Sequence, residues 1–131
     1  MIYLLDANAV ISVLNAVDSP VSRSARRHAP RDIGISAIAV YELFYGAFRS
    51  QRVERNVALV DSLHFEIVAF GKEDSRSAGE VRAHLAVRGA LIGPYDILIA
   101  GQARARDLIL VTHNTREFGR VPGLQIEDWE A

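Results

Sequence analysis

Four acidic residues stand at the ends of apolar runs: Asp6 after IYLL, Glu42 inside VYELFYGAF, Asp96 inside IGPYDILIAG, and Glu117 after LILVTHNTR. Apolar runs become buried strands and helices, so their ends converge at one edge of a core. Carboxylates meeting there repel one another, at about 4 kcal/mol for a pair ~4 Å apart in a medium of effective dielectric ~20. A fold tolerates that only when some acids stay protonated or a cation neutralises them. Oxygen ligands of this kind suit Mg²⁺ or Mn²⁺. The pattern therefore points to a metal-dependent enzyme acting on phosphate esters.

Each acid also has a plainer role to be weighed. Asp6 can cap a helix. Glu42, among Val40, Tyr41, Leu43, Phe44 and Tyr45, can pair with Arg49. Asp96 gains from the dipole of the helix it opens. Glu117 can pair with Arg116 or Arg120. Near them, Asn114 can bind a metal through its carbonyl oxygen, and Asn8 and Thr112 can orient carboxylates. His113 lies close by in sequence and is assigned no role.

The elements that must position these groups alternate. Strands are expected at 2–5, 33–35, 65–70, 108–112 and 124–126. Helices are expected at 7–17, 20–29, 37–50, 52–63, from Asp74 or Ser75 to Arg88, and 95–106, with a loop or short helix at 114–119. Strands alternating with helices imply an α/β sandwich with a mainly parallel sheet. Sites in such sheets form beyond the carboxyl ends of the strands, where Asp6 and Asn114 fall.

With 131 residues, half of them hydrophobic and 24% charged, the chain is expected to form one soluble domain over 1–131. Its apolar stretches are too short for a bilayer. The opening MIYLLDANAV lacks a basic start and is not expected to be a signal peptide. With no cysteine there is no disulfide or thiolate chemistry, and a cytoplasmic setting is expected. The net charge of −1 gives no bulk case for nucleic-acid binding. Of the 15 basic residues, however, only Lys72 is a lysine. Arginine clusters at 23, 26, 27, 31 and at 49, 52, 55 offer forks that match phosphate oxygens. The aromatics Tyr41, Phe44, Tyr45, Phe48 and Trp129 are expected mostly in the core, with an interface as the alternative.

The segments YLLDANAVI, ISAIAVYELFYGA and GALIGPYDILIAGQARARDLILVTHNTREFGRVPGLQIEDW, in that order, resemble a PIN-domain endoribonuclease, within that group a VapC-type toxin of a type II toxin–antitoxin pair. The resemblance implies a three-layer α/β/α PIN-like domain and an acidic pocket for Mg²⁺ or Mn²⁺. It makes Asp6, Glu42 and Asp96 the principal carboxylates. Asn114 stands where many members carry a fourth Asp, and Glu117 is then the replacement charge. It also implies an RNA substrate (transfer RNA for some relatives), a homodimer, and a cognate antitoxin that binds operator DNA. The family usually has Thr or Ser after the first Asp, where this chain has Ala7. Arg82 and Arg104 are candidate phosphate contacts at the rim. The alternatives are an inactive module that works by protein binding and a DNA-cleaving relative. A receiver domain or a haloacid-dehalogenase-like phosphatase would need a lysine after a late strand, and LILVTHN has none.

Overall fold

The computed structural model describes residues 1–15 and 18–130. Among these residues five strands form one sheet in the order β3-β2-β1-β4-β5, and every pairing is parallel. They are β1 (Tyr3–Leu5), β2 (Ile33–Ser36), β3 (Glu66–Val68), β4 (Ile109–Val111) and β5 (Ile126–Glu127). The central strands carry Leu4, Leu5, Ile33, Ile35 and Leu110, all fully buried. Apolar residues on successive positions mark strands covered on both faces.

Among the described residues seven α-helices connect them: α1 (Ala7–Asn15), α2 (Pro20–Arg26), α3 (Ala37–Phe48), α4 (Val53–Asp61), α5 (Lys72–Val87), α6 (Pro94–Ala105) and α7 (Thr115–Phe118). The chain runs outward from β1 to β2 and β3, then crosses back to β4 and β5. Right-handed crossovers in opposite directions send their helices to opposite faces, which gives three layers. The reversal lies between β1 and β4, so the carboxyl ends of those two strands flank a crevice. No described helix is long and apolar enough to cross a membrane.

Several element ends differ from the expected ones. The expected end of α1 at Val17 lies outside the described residues. Helix α2 stops at Arg26, and Pro30–Asp32 form a short 3-10 turn before β2. Helix α5 begins at Lys72, not at Asp74 or Ser75, because Asp74 sits inside the first turn and accepts the Gly71 N–H at 2.7 Å. The last strand is Ile126–Glu127, shifted towards the C-terminus. Its register is set by β4: the Gln125 carbonyl accepts Leu110 N–H and the Glu127 carbonyl accepts Thr112 N–H, at 2.9 and 3.0 Å.

Helices α5 and α6 pack closely. A Cβ on Gly101 would lie 2.4 Å from Ala78 Cα, so only glycine permits that approach. A polar network fixes the same pair. The Arg106 guanidinium donates to both Asp74 oxygens at 3.0 and 2.9 Å. The fully buried Gln102 donates to the Ala69 carbonyl at 3.0 Å. Burial pushes the Asp74 carboxyl up, but hydrogen bonds from Arg106, Gly71 and Gln102 and the Arg106 charge outweigh it and hold the group below its usual range. Its stabilising effect is therefore present above the ordinary carboxylate pKa and lost as pH falls through the lowered folded value. Asp74→Asn should cost about 2 kcal/mol at neutral pH. Urea unfolding should show that difference shrinking in acid; a difference independent of pH would contradict the assignment.

Candidate active site

Asp6 leaves β1 and opens α1. Its N–H bonds the Val111 carbonyl of β4, and its Oδ1 accepts the Ala9 N–H at 2.8 Å. The helix-cap role is thus real, and it fixes the carboxylate beside the crevice. The Thr112 hydroxyl, buried at the end of β4, accepts Asn114 N–H at 3.0 Å and also bonds the Asp6 side chain. These bonds orient Asp6 and leave acceptor capacity unused. Glu42 lies midway along α3 and is half-buried. Asp96 lies in the first turn of α6, where Gly93 leaves room: a Cβ there would come 3.2 Å from Asp96 Oδ2. Asn114 Nδ2 donates to Glu117 Oε2 at 3.2 Å, so these two act as a unit at the start of α7.

The acids sense one another. Burial raises the Asp6 carboxyl, opposed by the Thr112 and Ala9 bonds and the His113 charge and reinforced by Glu130. Burial also raises Glu42, followed by the charges of Asp96 and Asp6. Asp96 is raised by burial, then by Asp6 and Glu117. Sequence elements up to 124 positions apart (from residue 6 to residue 130) therefore share one electrostatic field. Among the described residues none of the four acids has an ion-pair partner. Arg49 lies over the Tyr45 ring instead of pairing with Glu42, and Arg120 reaches the Ala90 and Leu91 carbonyls. An oxygen-only, partly buried donor set without a cation partner suits a hard divalent ion.

The remaining candidates separate. Asn8 is exposed and, with Ala7 and Glu42, lines one end of a groove of about 490 Å³ between α1, α3 and α4. Arg82 lines a different hollow, with Tyr95 and Leu98. Arg104 is in the last turn of α6, at the opposite end from Asp96. It pairs with Glu80 and donates to the Pro122 carbonyl, which fastens it to the scaffold. Trp129 is buried and packs on Tyr3 and His28. Tyr41, Tyr45 and Phe48 depart from the expected core placement: all three are more than half exposed.

Two groups near the site were not tied to it by sequence reasoning, which gave His113 no role and weighed Tyr41 only as a core or interface aromatic. His113 Nδ1 lies 3.0 Å from Asp128 Oδ2 and 3.5 Å from Glu130 Oε2, and the Glu130 charge bears on Asp6. These three residues present ligand atoms all within 4.8 Å of one another. Only the β4–β5 pairing brings the C-terminal segment back to Thr112, and no local pattern announces it. Tyr41 and Tyr95 each directly precede an acid, a signal that was visible in the sequence.

A model of the PIN domain matches residues 3–124. The chain is also 38% identical to the tRNA(fMet)-specific endonuclease VapC of Salmonella typhimurium over 97% of each chain. The chain belongs to the PIN domain family, in its VapC branch. The VapC relative from Shigella flexneri, likewise named a tRNA(fMet)-specific endonuclease, is 39% identical over 97% of each chain. Among solved structures, the DNA-bound VapBC of Salmonella typhimurium is similar with a TM-score of 0.93 and 37% identity over 98% of each chain. VapBC2 of Rickettsia felis bound to a promoter DNA fragment has a TM-score of 0.90 and 34% identity, covering 98% of this chain and 99% of that one. The crevice of this PIN domain thus belongs to a nuclease fold.

The raised acids carry a stability cost in the metal-free PIN domain. Between the usual Asp value of 3.8 and the raised folded value, the folded state holds a proton that the unfolded state releases, so stability falls as pH rises. Asp96→Asn should therefore raise the melting temperature of metal-free protein at pH 7 by a few degrees. The gain should vanish below about pH 3.8. Calorimetry across that range checks it; a destabilised variant at pH 7 would contradict the repulsion.

Proposed function

We propose that this VapC-family protein is a Mg²⁺- or Mn²⁺-dependent endoribonuclease with one catalytic domain over 1–131, working as the toxin of a toxin–antitoxin pair. The observation that carries the metal assignment is the convergence of Asp6, Glu42 and Asp96 in one crevice: each is raised by burial and by a neighbouring acid, and the His113 charge offsets this only in part at Asp6. Asp6 and Asp96 would hold the ion, with Glu42 sharing it or helping a second. When bound, the ion supplies a hydroxide near neutral pH and stabilises charge on the phosphorus centre. Thr112 and the Ala9 N–H keep the Asp6 carboxylate aimed. Asn114 holds Glu117 at the mouth, where its charge bears on Asp96. Unneutralised, the acids would repel RNA phosphates, and a cation held by Asp6, Asp96 and Glu42 would lift that repulsion.

The substrate class is RNA, with transfer RNA favoured by the names of the Salmonella and Shigella relatives. Solved VapBC complexes support a cognate antitoxin as partner, with DNA reached through it. A homodimer and a cytoplasmic setting complete the proposal.

Purified protein should cleave RNA with Mg²⁺ or Mn²⁺, and EDTA should stop it. Asp6→Asn or Asp96→Asn should lower the rate at least about a hundredfold with folding intact. Thr112→Val should cost about 10- to 100-fold through loss of aim. Undiminished cleavage by Asp96→Asn would reject the metal site. In cells, expression alone should arrest growth, and co-expression of the adjacent small gene should relieve it. Harmless expression of an active nuclease would reject the toxin role.

A further inference from the structure

Two exposed tyrosines flank the acids. Tyr41 precedes Glu42 on α3, and Tyr95 precedes Asp96 on α6. They are 53% and 42% exposed. Their hydroxyls lie 3.3 Å apart, and their ring centroids 5.4 Å apart with the planes at 60°. The pairing ties two helices together at the lip and fixes both rings before anything binds, so little side-chain entropy remains to be lost. Both side chains keep surface open to solvent.

The pair stands within the field of the acids. Tyr41 and Tyr95 are the immediate chain neighbours of Glu42 and Asp96, so both rings stand beside the carboxylates. Tyr45, one turn along α3, is 60% exposed, and the Arg49 guanidinium sits 5.7 Å from its ring centroid. Three rings bearing hydroxyls thus lead away from the carboxylates to a cation. Beside the acids, a phosphate or an acidic side chain is repelled, whereas a neutral flat group is accepted. Further out, Arg49 favours a phosphate. Alternating demand for a neutral ring and an anion describes a single nucleic-acid strand.

Resting on the ribonuclease reading, we propose that Tyr41 and Tyr95 are a stacking platform for an unpaired base beside the cleaved RNA bond. Tyr45 and Arg49 receive the adjoining nucleotide. Stacking demands an unstacked base, so the platform selects loops and single strands over duplexes and tolerates base identity.

The test is steady-state cleavage of a single-stranded RNA by wild type, Tyr41→Leu, Tyr95→Leu and the two Phe variants. A parallel set of oligonucleotides carries one abasic residue at each position flanking the cut. The Leu variants should raise KM about tenfold to a hundredfold with little change in kcat. The Phe variants should recover most of that loss, since the ring remains. An abasic residue next to the cut should raise the wild-type KM and erase the gap between wild type and Leu variants. A wild type that cuts RNA without any abasic penalty overturns the platform alone, even if a Leu variant fails to fold. Leu variants with unchanged KM but altered sedimentation would overturn it in favour of an interface between copies. A wild type that cuts no RNA removes the ribonuclease reading and the platform together.

Discussion

Carboxylates that repel one another are held at one edge of a parallel sheet, and most of this structure can be understood as the apparatus that holds them. Asp6 is fixed by a strand end and a helix start, Glu42 by the middle of α3, and Asp96 by the first turn of α6. Each is raised by burial and by at least one other acid. Relaxation apart is prevented because each acid belongs to an element packed on the same sheet. Such a site stores electrostatic free energy that a divalent ion can release on binding.

The stabilising work is done elsewhere. Arg106, Asp74 and Gln102 clamp α5, α6 and the segment after β3, at the end of α6 opposite Asp96. Asp74 is the contrasting carboxylate: it is as buried as Asp6 but fully partnered, and its pKa falls where that of Asp6 rises. Burial alone does not decide whether an acid is structural or chemical. The difference is whether the surroundings provide donors or further acids. The close α5–α6 contact at Gly101 then carries the clamped end of α6 rigidly to Asp96 at its other end.

The rim differs from the floor of the crevice. The floor is oxygen-rich and acidic. The lip carries Tyr41, Tyr95 and Tyr45 on one side, and His113 with Asp128 and Glu130 on the other. The floor offers carboxylate oxygens, and the lip offers exposed rings and an imidazole. Arginine plays a smaller part there than its abundance suggested. Arg104 and Arg106 serve the scaffold, and Arg49 lies over Tyr45.

Element order, the parallel sheet and the four acids were legible in the sequence because each rests on local chemistry: apolar runs, caps, and charge where charge is costly. Positions of element ends were less legible. The last strand took its register from β4, and α5 took its start from a side chain folding back on Gly71. The exposed aromatics of α3 could not be distinguished from core residues, since one helix offers no record of which face its neighbours cover. Local composition thus determined which residues had the right chemistry. Only tertiary structure decided which of them meet, because convergence of residues 6, 42, 96 and 117 depends on crossovers between strands and on the pairing of β1 with β4. The same pairings returned the chain end to Asp6 and sent Arg104 away, and contacts so distant in sequence leave no periodic trace along the chain.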